Sequence, residues 1–300
     1  MTALKNVLIL QDTMNFFEGH KTTSKEEYEA YMNKIKESIV FLPEDIEMMK
    51  NNPKHQDGET AGKCKITCVD NDTFTEARGL IVRTSLYEED GAIIRTLNGE
   101  DVLVLNFANP YHPGGGVRVG ARAQEEDLCR RSNLLLSLES DNAKKYYQYN
   151  QTNKKQDVYG NDYGSNTMIL SPSITIIRNR FARLTPGLYA EVGVLTVAAP
   201  IVRKQQYLSD EYLELFYERI NSVLLCAAHY GYKHLILGAW GCGAFGNDPE
   251  IVAKLFRDVL DNFSYDGKNV HKLFESITFA IPYEEGRPAN YLAFKKQFGK

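Results

Sequence analysis

No apolar run in the sequence approaches the ~20 residues that a membrane-spanning helix needs. Mean hydropathy is −0.38, and nothing in the chain suggests contact with a membrane. No strong basic run is present, and the net charge is −4. A nucleic-acid groove is therefore disfavoured. An anionic ligand would have to be held by backbone N–H groups and local basic side chains, without help from a global positive field. Cysteine is scarce. The five residues are odd in number and scattered, which argues against a disulfide scaffold and for a reducing compartment. Cys64 and Cys68 are spaced more widely than a CxxC pair and have no second pair or His nearby. No metal site is expected there, and buried structural thiols are the simpler reading. The apolar patch Val7–Leu10 lacks a strong basic flank and a small-residue cleavage site, so a signal peptide is not expected. A cytoplasmic monomer is the expectation.

With 43% hydrophobic and 25% charged residues over 300 positions, the composition is that of an ordinary globular protein with ample core. Residues 1–62 read as an N-terminal helical extension packed on a domain spanning 63–300. Lys25–Phe41 carries Tyr28, Tyr31, Ile35 and Ile39 near helical spacing, with Ser24 as N-cap. Asp12, Thr13 and Asn15 read as turn or capping residues. Asn51–Lys63 is polar with Gly and Pro and reads as an exposed loop.

From there strands alternate with helices. Lys65–Val69, Asp101–Phe107, Ile174–Ile177, Val192–Ala198, His234–Ala239 and Ser276–Ile281 read as strands. Asp72–Arg83, Gln124–Leu138, Ser209–Tyr230, Asp248–Phe263 and Asn290–Phe298 read as helices. On the Ser209–Tyr230 helix the apolar face is Leu213, Phe216, Ile220, Val223, Leu224 and Ala227. Residues 140–166 are tyrosine-rich and polar and read as an irregular surface excursion. The alternation predicts an α/β layer fold with a mostly parallel sheet.

Ligands in such sheets bind at the carboxyl ends of strands. Two glycine-rich loops follow strands there. The first holds Gly114, Gly115 and Gly116, then seven residues, then Gln124, Glu125 and Glu126. Alone, three glycines make a tight turn. Between a buried strand and a carboxylate pair, they let backbone approach a ligand. The second loop holds Gly241, Cys242, Gly243, Ala244, Phe245 and Gly246. It matches GxGxxG between a strand and a helix. It comes late in the chain, and no acidic residue stands at a strand end about 20 residues on, so a nicotinamide-cofactor oxidoreductase is disfavoured. No Lys-Ser/Thr follows, so it is not a Walker loop. A phosphate cradle at a helix N-terminus remains. Cys242 has no His or Asp partner at a meaningful spacing for nucleophilic work, and Trp240 reads as core.

Glu125 and Glu126 open a helix, where acids are stabilised by the macrodipole whatever else they do. Glycoside chemistry needs a carboxyl that can protonate a leaving oxygen. The helix end lowers such a pKa, while burial and a neighbouring carboxylate raise it. Adjacent helical residues point about 100° apart, so the pair does not flank one bond as in ordinary glycosidases. The reading makes Glu126 the acid, enclosed on ligand binding, and Glu125 charged and bonded to sugar hydroxyls.

GGG, seven residues, then QEE resembles the signature of poly(ADP-ribose) glycohydrolases. NFANPYHPGGG, AQEEDLCRRSNL and LGAWGCGAFGNDP are similar to the microbial type. The resemblance covers the chain from about Lys65 onward and extends to the N-terminal helical segment. It implies a macrodomain-like three-layer α/β/α sandwich with a mixed, mostly parallel sheet. It implies hydrolysis of the ribose–ribose O-glycosidic bond at chain ends, releasing ADP-ribose without metal or cofactor. Glu126 and Glu125 would be catalytic. Asn109 would bind the terminal ribose, and Gln124 would add to the substrate site. Gly114–Gly116 and Gly241–Gly246 would hold the diphosphate and its riboses, with Phe245 ordering the terminal unit. Animal members carry Asp where this chain has Asn106, which puts a charged role there in doubt. The alternatives are an ADP-ribose-binding macrodomain and a mono-ADP-ribosyl hydrolase acting on a modified protein or nucleic acid. The intact QEE argues against pure binding.

Overall fold

The computed structural model describes residues 2–18, 25–54, 62–85, 88–89, 92–93, 99–186, 188–204, 208–286 and 288–299. The chain opens with helices α1 (Ala3–Phe17) and α2 (Lys25–Ile35), a short strand β1 (Ile39–Phe41) and helix α3 (Pro43–Asn51). Next come β2 (Lys65–Val69), α4 (Thr73–Ser85) and a ribbon of β3 (Glu88–Glu89) with β4 (Ala92–Ile93). The central strand β5 (Val102–Phe107) leads through the first glycine loop to α5 (Gln124–Arg131), α6 (Leu134–Leu138) and α7 (Lys144–Thr152). Strands β6 (Met168–Ile176) and β7 (Ala190–Val197) precede the long helix α8 (Asp210–His229). Strand β8 (His234–Leu237), helix α9 (Pro249–Asn262), a ribbon of β9 (Ser264–Tyr265) with β10 (Lys268–Asn269), α10 (Val270–Leu273), β11 (Ser276–Ala280) and α11 (Ala289–Phe298) complete the chain.

The main sheet has the order β1-β6-β7-β5-β8-β11-β2. The neighbours from β7 to β2 are parallel, and only β6 runs against the rest. Side chains alternate across a strand, and here the alternation divides two cores. Leu103, Leu105, Leu195, Val197, Leu235 and Phe279 pack with α3, α8, α9 and α11. Val102, Val104, Val192, Val194 and Ile236 pack with α1, α4, α5, α6 and α7. A sheet between two helical layers is the α/β sandwich expected from the pattern.

Several elements differ from the sequence reading. The helix expected to Phe41 ends at Ile35. Its last residues become β1, paired antiparallel with β6 (Ile39 opposite Leu170). The N-terminal segment thus supplies the sheet's edge strand. The helix expected over 124–138 breaks at Ser132 and Asn133. Ser132 Oγ donates to the Leu128 carbonyl at 2.8 Å, and Asn133 Oδ1 accepts from Thr175 N at 2.8 Å. Such local side-chain bonds compete with helix continuation. The irregular excursion contains α7, anchored by buried Tyr146, Tyr147 and Asn150. On α8, Tyr212 takes the buried place, and Leu213 is 37% exposed. Ser24 and residues 55–61 lie outside the described residues. Among the described residues no helix is long and apolar enough to cross a membrane.

Asp12, Thr13 and Asn15 lie inside α1 and cap nothing. Thr13 is fully buried. Its hydroxyl donates to the Arg130 carbonyl at 2.7 Å and accepts from Arg178 Nε at 2.8 Å. Asp12 pairs with the same Arg178 at 2.5 Å. Asn6 Nδ2 donates to the Gly120 carbonyl at 3.0 Å. Helix α1 therefore braces both ends of the segment that carries the two glutamates. Thr13→Val keeps the shape and strands two buried partners. We expect it to lower the unfolding free energy by ~1–3 kcal/mol, read as a drop in the urea midpoint at constant m-value. An unchanged midpoint would remove the brace from the account.

Candidate active site

The two glycine loops leave neighbouring parallel strands at their carboxyl ends. Strand β5 pairs with β8, and the Phe107 ring packs on Gly238, where a Cβ would meet Cζ at 2.8 Å. The Val197 carbonyl ties both loops together. It accepts from Ala108 N at 3.2 Å and from Trp240 Nε1 at 3.1 Å. Trp240 is fully buried, as expected for core. The second loop is also held from α8. Tyr212 donates its hydroxyl to Asn247 Oδ1 at 2.7 Å, and Asn247 Nδ2 donates to the Pro200 and Gly241 carbonyls at 2.7 and 2.9 Å.

In the first loop, backbone N–H groups turn toward the protein itself. Gly114 and Gly115 have φ of +66° and +56°, left-handed values that an L side chain rarely adopts. Gly116 N donates to Glu126 Oε1 at 2.9 Å, and Gly115 N closes the turn on the His112 carbonyl at 3.0 Å. The Gly114 amide adds a weaker pull on Glu125. The Gly115 and Gly116 N–H groups thus hold the turn and the Glu126 carboxyl. A Cβ on Gly115 would lie 2.6 Å from Glu126 Oε1 and 3.1 Å from Glu125 Oε2. Both carboxyl groups therefore press against one glycine.

Glu125 is held on both oxygens. Oε1 accepts from Asn106 Nδ2 at 3.3 Å and Oε2 from Asn109 N at 2.8 Å. Asn106, on the floor strand, also donates to Thr196 Oγ1 at 3.2 Å. Glu125 is 2% exposed. Burial pushes its carboxyl up to about 8, against the opposing pull of the Asn109 and Asn106 donors. The sequence reading puts more weight on the charged form; here desolvation outweighs the hydrogen bonds. Glu126 is 7% exposed with no ligand present. Its Oε2 is buried and has no partner among the described residues. That oxygen is the one carboxyl position in the pair left for a ligand.

A carboxyl whose folded pKa exceeds its unfolded value binds more protons folded than unfolded between the two. Stability from Glu125 is therefore fully present below its ordinary value of 4.5 and is lost as pH rises through about 8. Glu125→Gln abolishes that loss. Its melting temperature relative to wild type is expected to rise between about pH 5 and about pH 8.5. A pH-independent offset would contradict the shift.

Gln124 also differs from its expected role. Its Nε2 donates to the Leu105 carbonyl at 2.8 Å, and its Oε1 accepts from Phe107 N at 2.9 Å. Both ends of the amide stitch the helix start to β5, so Gln124 positions Glu125 and Glu126. Asn109 Oδ1 accepts from Tyr111 N and His112 N at 2.9 and 3.0 Å, closing a turn and leaving its NH2 for a ligand.

In the second loop, Cys242 N and Gly246 N are used within the turn, on the Ala239 and Gly243 carbonyls. Cys242 is thus a turn residue, and burial raises its thiol well above the ordinary range. Gly241 and Gly246 take φ of +77° and +73°. The consecutive N–H groups of Gly243, Ala244 and Phe245 meet no protein acceptor among the described residues. Phe245 is half-buried against the core. Asp248 caps α9 just beyond, accepting from Glu250 N at 2.8 Å. Three N–H groups without a protein acceptor thus stand just before a helix start, an arrangement that suits an anion. Two long-range contacts near the loops were not legible in the sequence. Tyr111 donates its hydroxyl to buried Asp162, and Arg219, fully buried, donates to the Ala198 and Tyr163 carbonyls at 2.9 and 2.6 Å. Both join segments far apart in the chain, which no local pattern reports. Among the described residues no cluster of three or more His, Cys, Asp or Glu could hold a metal.

Residues 10–179 match the family model "Microbial-type PARG, catalytic domain". Solved structures agree over nearly the whole chain. Poly(ADP-ribose) glycohydrolase from Thermomonospora curvata bound to the inhibitor ADP-HPD is 26% identical, with a TM-score of 0.78 over 98% of this chain and 99% of that one. The same protein in a second structure superposes with a TM-score of 0.80. Poly(ADP-ribose) glycohydrolase from Deinococcus radiodurans in complex with ADP-ribose is 31% identical, with a TM-score of 0.71 over 89% of this chain and 96% of that one. A comparison with curated proteins found no match.

Proposed function

The chain belongs to the microbial-type poly(ADP-ribose) glycohydrolase family, and from that premise we propose how its residues carry out hydrolysis of poly(ADP-ribose) at chain ends. The observation that carries the mechanism is Glu126. Its Oε1 accepts the Gly116 N–H, while its buried Oε2 has no protein partner. A carboxylic acid with one oxygen accepting an N–H carries its proton on the other. Oε2 is then the donor to the bridging oxygen of the ribose–ribose bond. The C–O bond breaks as that proton is transferred, and the terminal ribose becomes oxocarbenium-like. The Glu126 carboxylate next takes a proton from the attacking water, whose hydroxyl bonds to the ribose carbon. The acid is regenerated and ADP-ribose is released.

Glu125 holds the turn through Asn109 N and shapes the ribose pocket. The Asn109 NH2 binds the terminal ribose. The N–H groups of Gly243, Ala244 and Phe245 take the diphosphate, and the Phe245 ring packs on the adjacent ribose. Gly114–Gly116, Gln124 and Cys242 position these groups. The free thiols support the expectation of a reducing, cytoplasmic setting, and we read the enzyme as a monomer.

The test offers defined polymer and mono-ADP-ribosylated serine, arginine and aspartate peptides side by side. Release of ADP-ribose from polymer, with little from the peptides, is the expected result. Turnover of a peptide without turnover of polymer would overturn this reading.

A further inference from the structure

A set of exposed cations stands as a platform on two segments tied to both glycine loops, although the chain as a whole is acidic. These segments are far apart in sequence. The first is the loop after α7, and the second is the run that follows β7. Asp162 and Ile201 exchange backbone hydrogen bonds at 2.8 and 2.7 Å. Asn161 is fully buried, and its Oδ1 accepts from Arg203 N at 2.8 Å and Lys204 N at 3.1 Å. The clamp ties the loop that carries Lys154 and Lys155 to the run that carries Arg203 and Lys204. All four side chains are exposed.

The acids of the loop are already committed. Asp157 accepts from Tyr159 N and Asn161 N at 2.9 Å, from Asn161 Nδ2 at 2.9 Å and from the Tyr163 hydroxyl at 3.1 Å. Asp162 is buried and takes the Tyr111 hydroxyl and Gly164 N. Only Lys154 approaches one of them, 3.9 Å from Asp162. The acids fold the loop, and the platform remains net cationic.

The platform is continuous with both walls of the active site. Tyr111, in the first glycine loop, reaches it through Asp162, and Lys154 stands 5.3 Å over the Tyr111 ring. Val202 N donates to the Phe245 carbonyl of the second loop at 2.7 Å. Arg203 and Lys204 follow directly. Arg203 and Lys204 are thus anchored next to the loop that carries the three donors.

The occupant that fits is a flexible chain with a diphosphate in every repeat. Exposed cations suit such a chain because they bind phosphate without demanding one geometry. We propose that Lys154, Lys155, Arg203 and Lys204 form a subsite for the diphosphates of the polymer behind the unit being cleaved. The proposal rests on the glycohydrolase reading above.

The test replaces all four with Gln (Lys154→Gln, Lys155→Gln, Arg203→Gln, Lys204→Gln) and compares a charge-keeping variant (Lys154→Arg, Lys155→Arg, Arg203→Lys, Lys204→Arg). Long polymer is the substrate at about 50 and about 200 mM salt. The Gln variant is expected to raise KM about tenfold at low salt and to flatten its salt dependence, since each phosphate contact contributes to that slope. Its kcat and its Kd for free ADP-ribose, which occupies only the terminal unit's site, should stay within about twofold. The charge-keeping variant should match wild type throughout. An unchanged KM in the Gln variant overturns the subsite. So does an equal loss in both variants, which marks a packing role. Competition by single-stranded DNA of matched charge, as strong as that of polymer, would assign the platform to nucleic acid instead. If wild type releases no ADP-ribose from polymer, the glycohydrolase reading itself falls, a result distinct from an unchanged KM.

Discussion

Glu126→Gln is expected to lower kcat on polymer by at least ~10²-fold while leaving the fold and ADP-ribose affinity nearly unchanged. The amide oxygen can still accept the Gly116 N–H that now reaches Oε1 at 2.9 Å. The amide nitrogen takes the place of Oε2, which has no protein partner to offend. What disappears is the ability to give a proton to the leaving oxygen and to take one back from water. Loss of rate without loss of binding or melting temperature separates chemistry from folding. Steady-state rates on polymer, calorimetric titration with ADP-ribose and a thermal melt together read it. A variant with near wild-type kcat would remove Glu126 from the mechanism.

Gly115→Ala is expected to be nearly as damaging. The position needs φ of +56°, which costs an L residue roughly 1–2 kcal/mol. The new methyl would also stand 2.6 Å from Glu126 Oε1 and 3.1 Å from Glu125 Oε2. Both carboxyls must move, and a displacement near 1 Å at a reacting group can cost about 10²-fold in rate. Gly243→Ala is the internal control. That residue has no positive φ, and nothing lies within 4 Å of the methyl it would gain. The expected pattern is a kcat fall of at least ~10²-fold for Gly115→Ala with a modest loss of stability, and a melting temperature unchanged for Gly243→Ala. Equal, small effects at both positions would mean that the first loop does not set the carboxylates.

The sequence carried the parts of the fold that local chemistry writes. The apolar run of β5, the helix start at Asp248, and two glycine loops after strands were all readable, and they sufficed to bring both loops to one sheet edge. What stayed hidden depends on distant partners. The Ile39–Phe41 strand looks helical until β6 stands beside it. Helix α7 hides in a polar tyrosine-rich run because Tyr146 and Tyr147 are buried only in the folded chain. The duties of the glycines were hidden for the same reason. Three glycines in a row read as an anion cradle, yet the N–H groups of Gly115 and Gly116 turn to the His112 carbonyl and the Glu126 carboxyl. The weight of burial on Glu125 against its helix end depends on how deep β5 places it, and spacing does not encode depth.

Proton donation by Glu126 is the central claim, and a substrate that does not need the proton tests it most directly. An ADP-ribosyl glycoside with an acidic phenol as leaving group departs without protonation. Glu126→Gln should release the phenol in its first turnover at a rate within about tenfold of wild type, because bond breaking precedes the base-assisted water step, while remaining at least ~10²-fold impaired on polymer. Equal impairment on both substrates would contradict the assignment of Glu126 as the general acid.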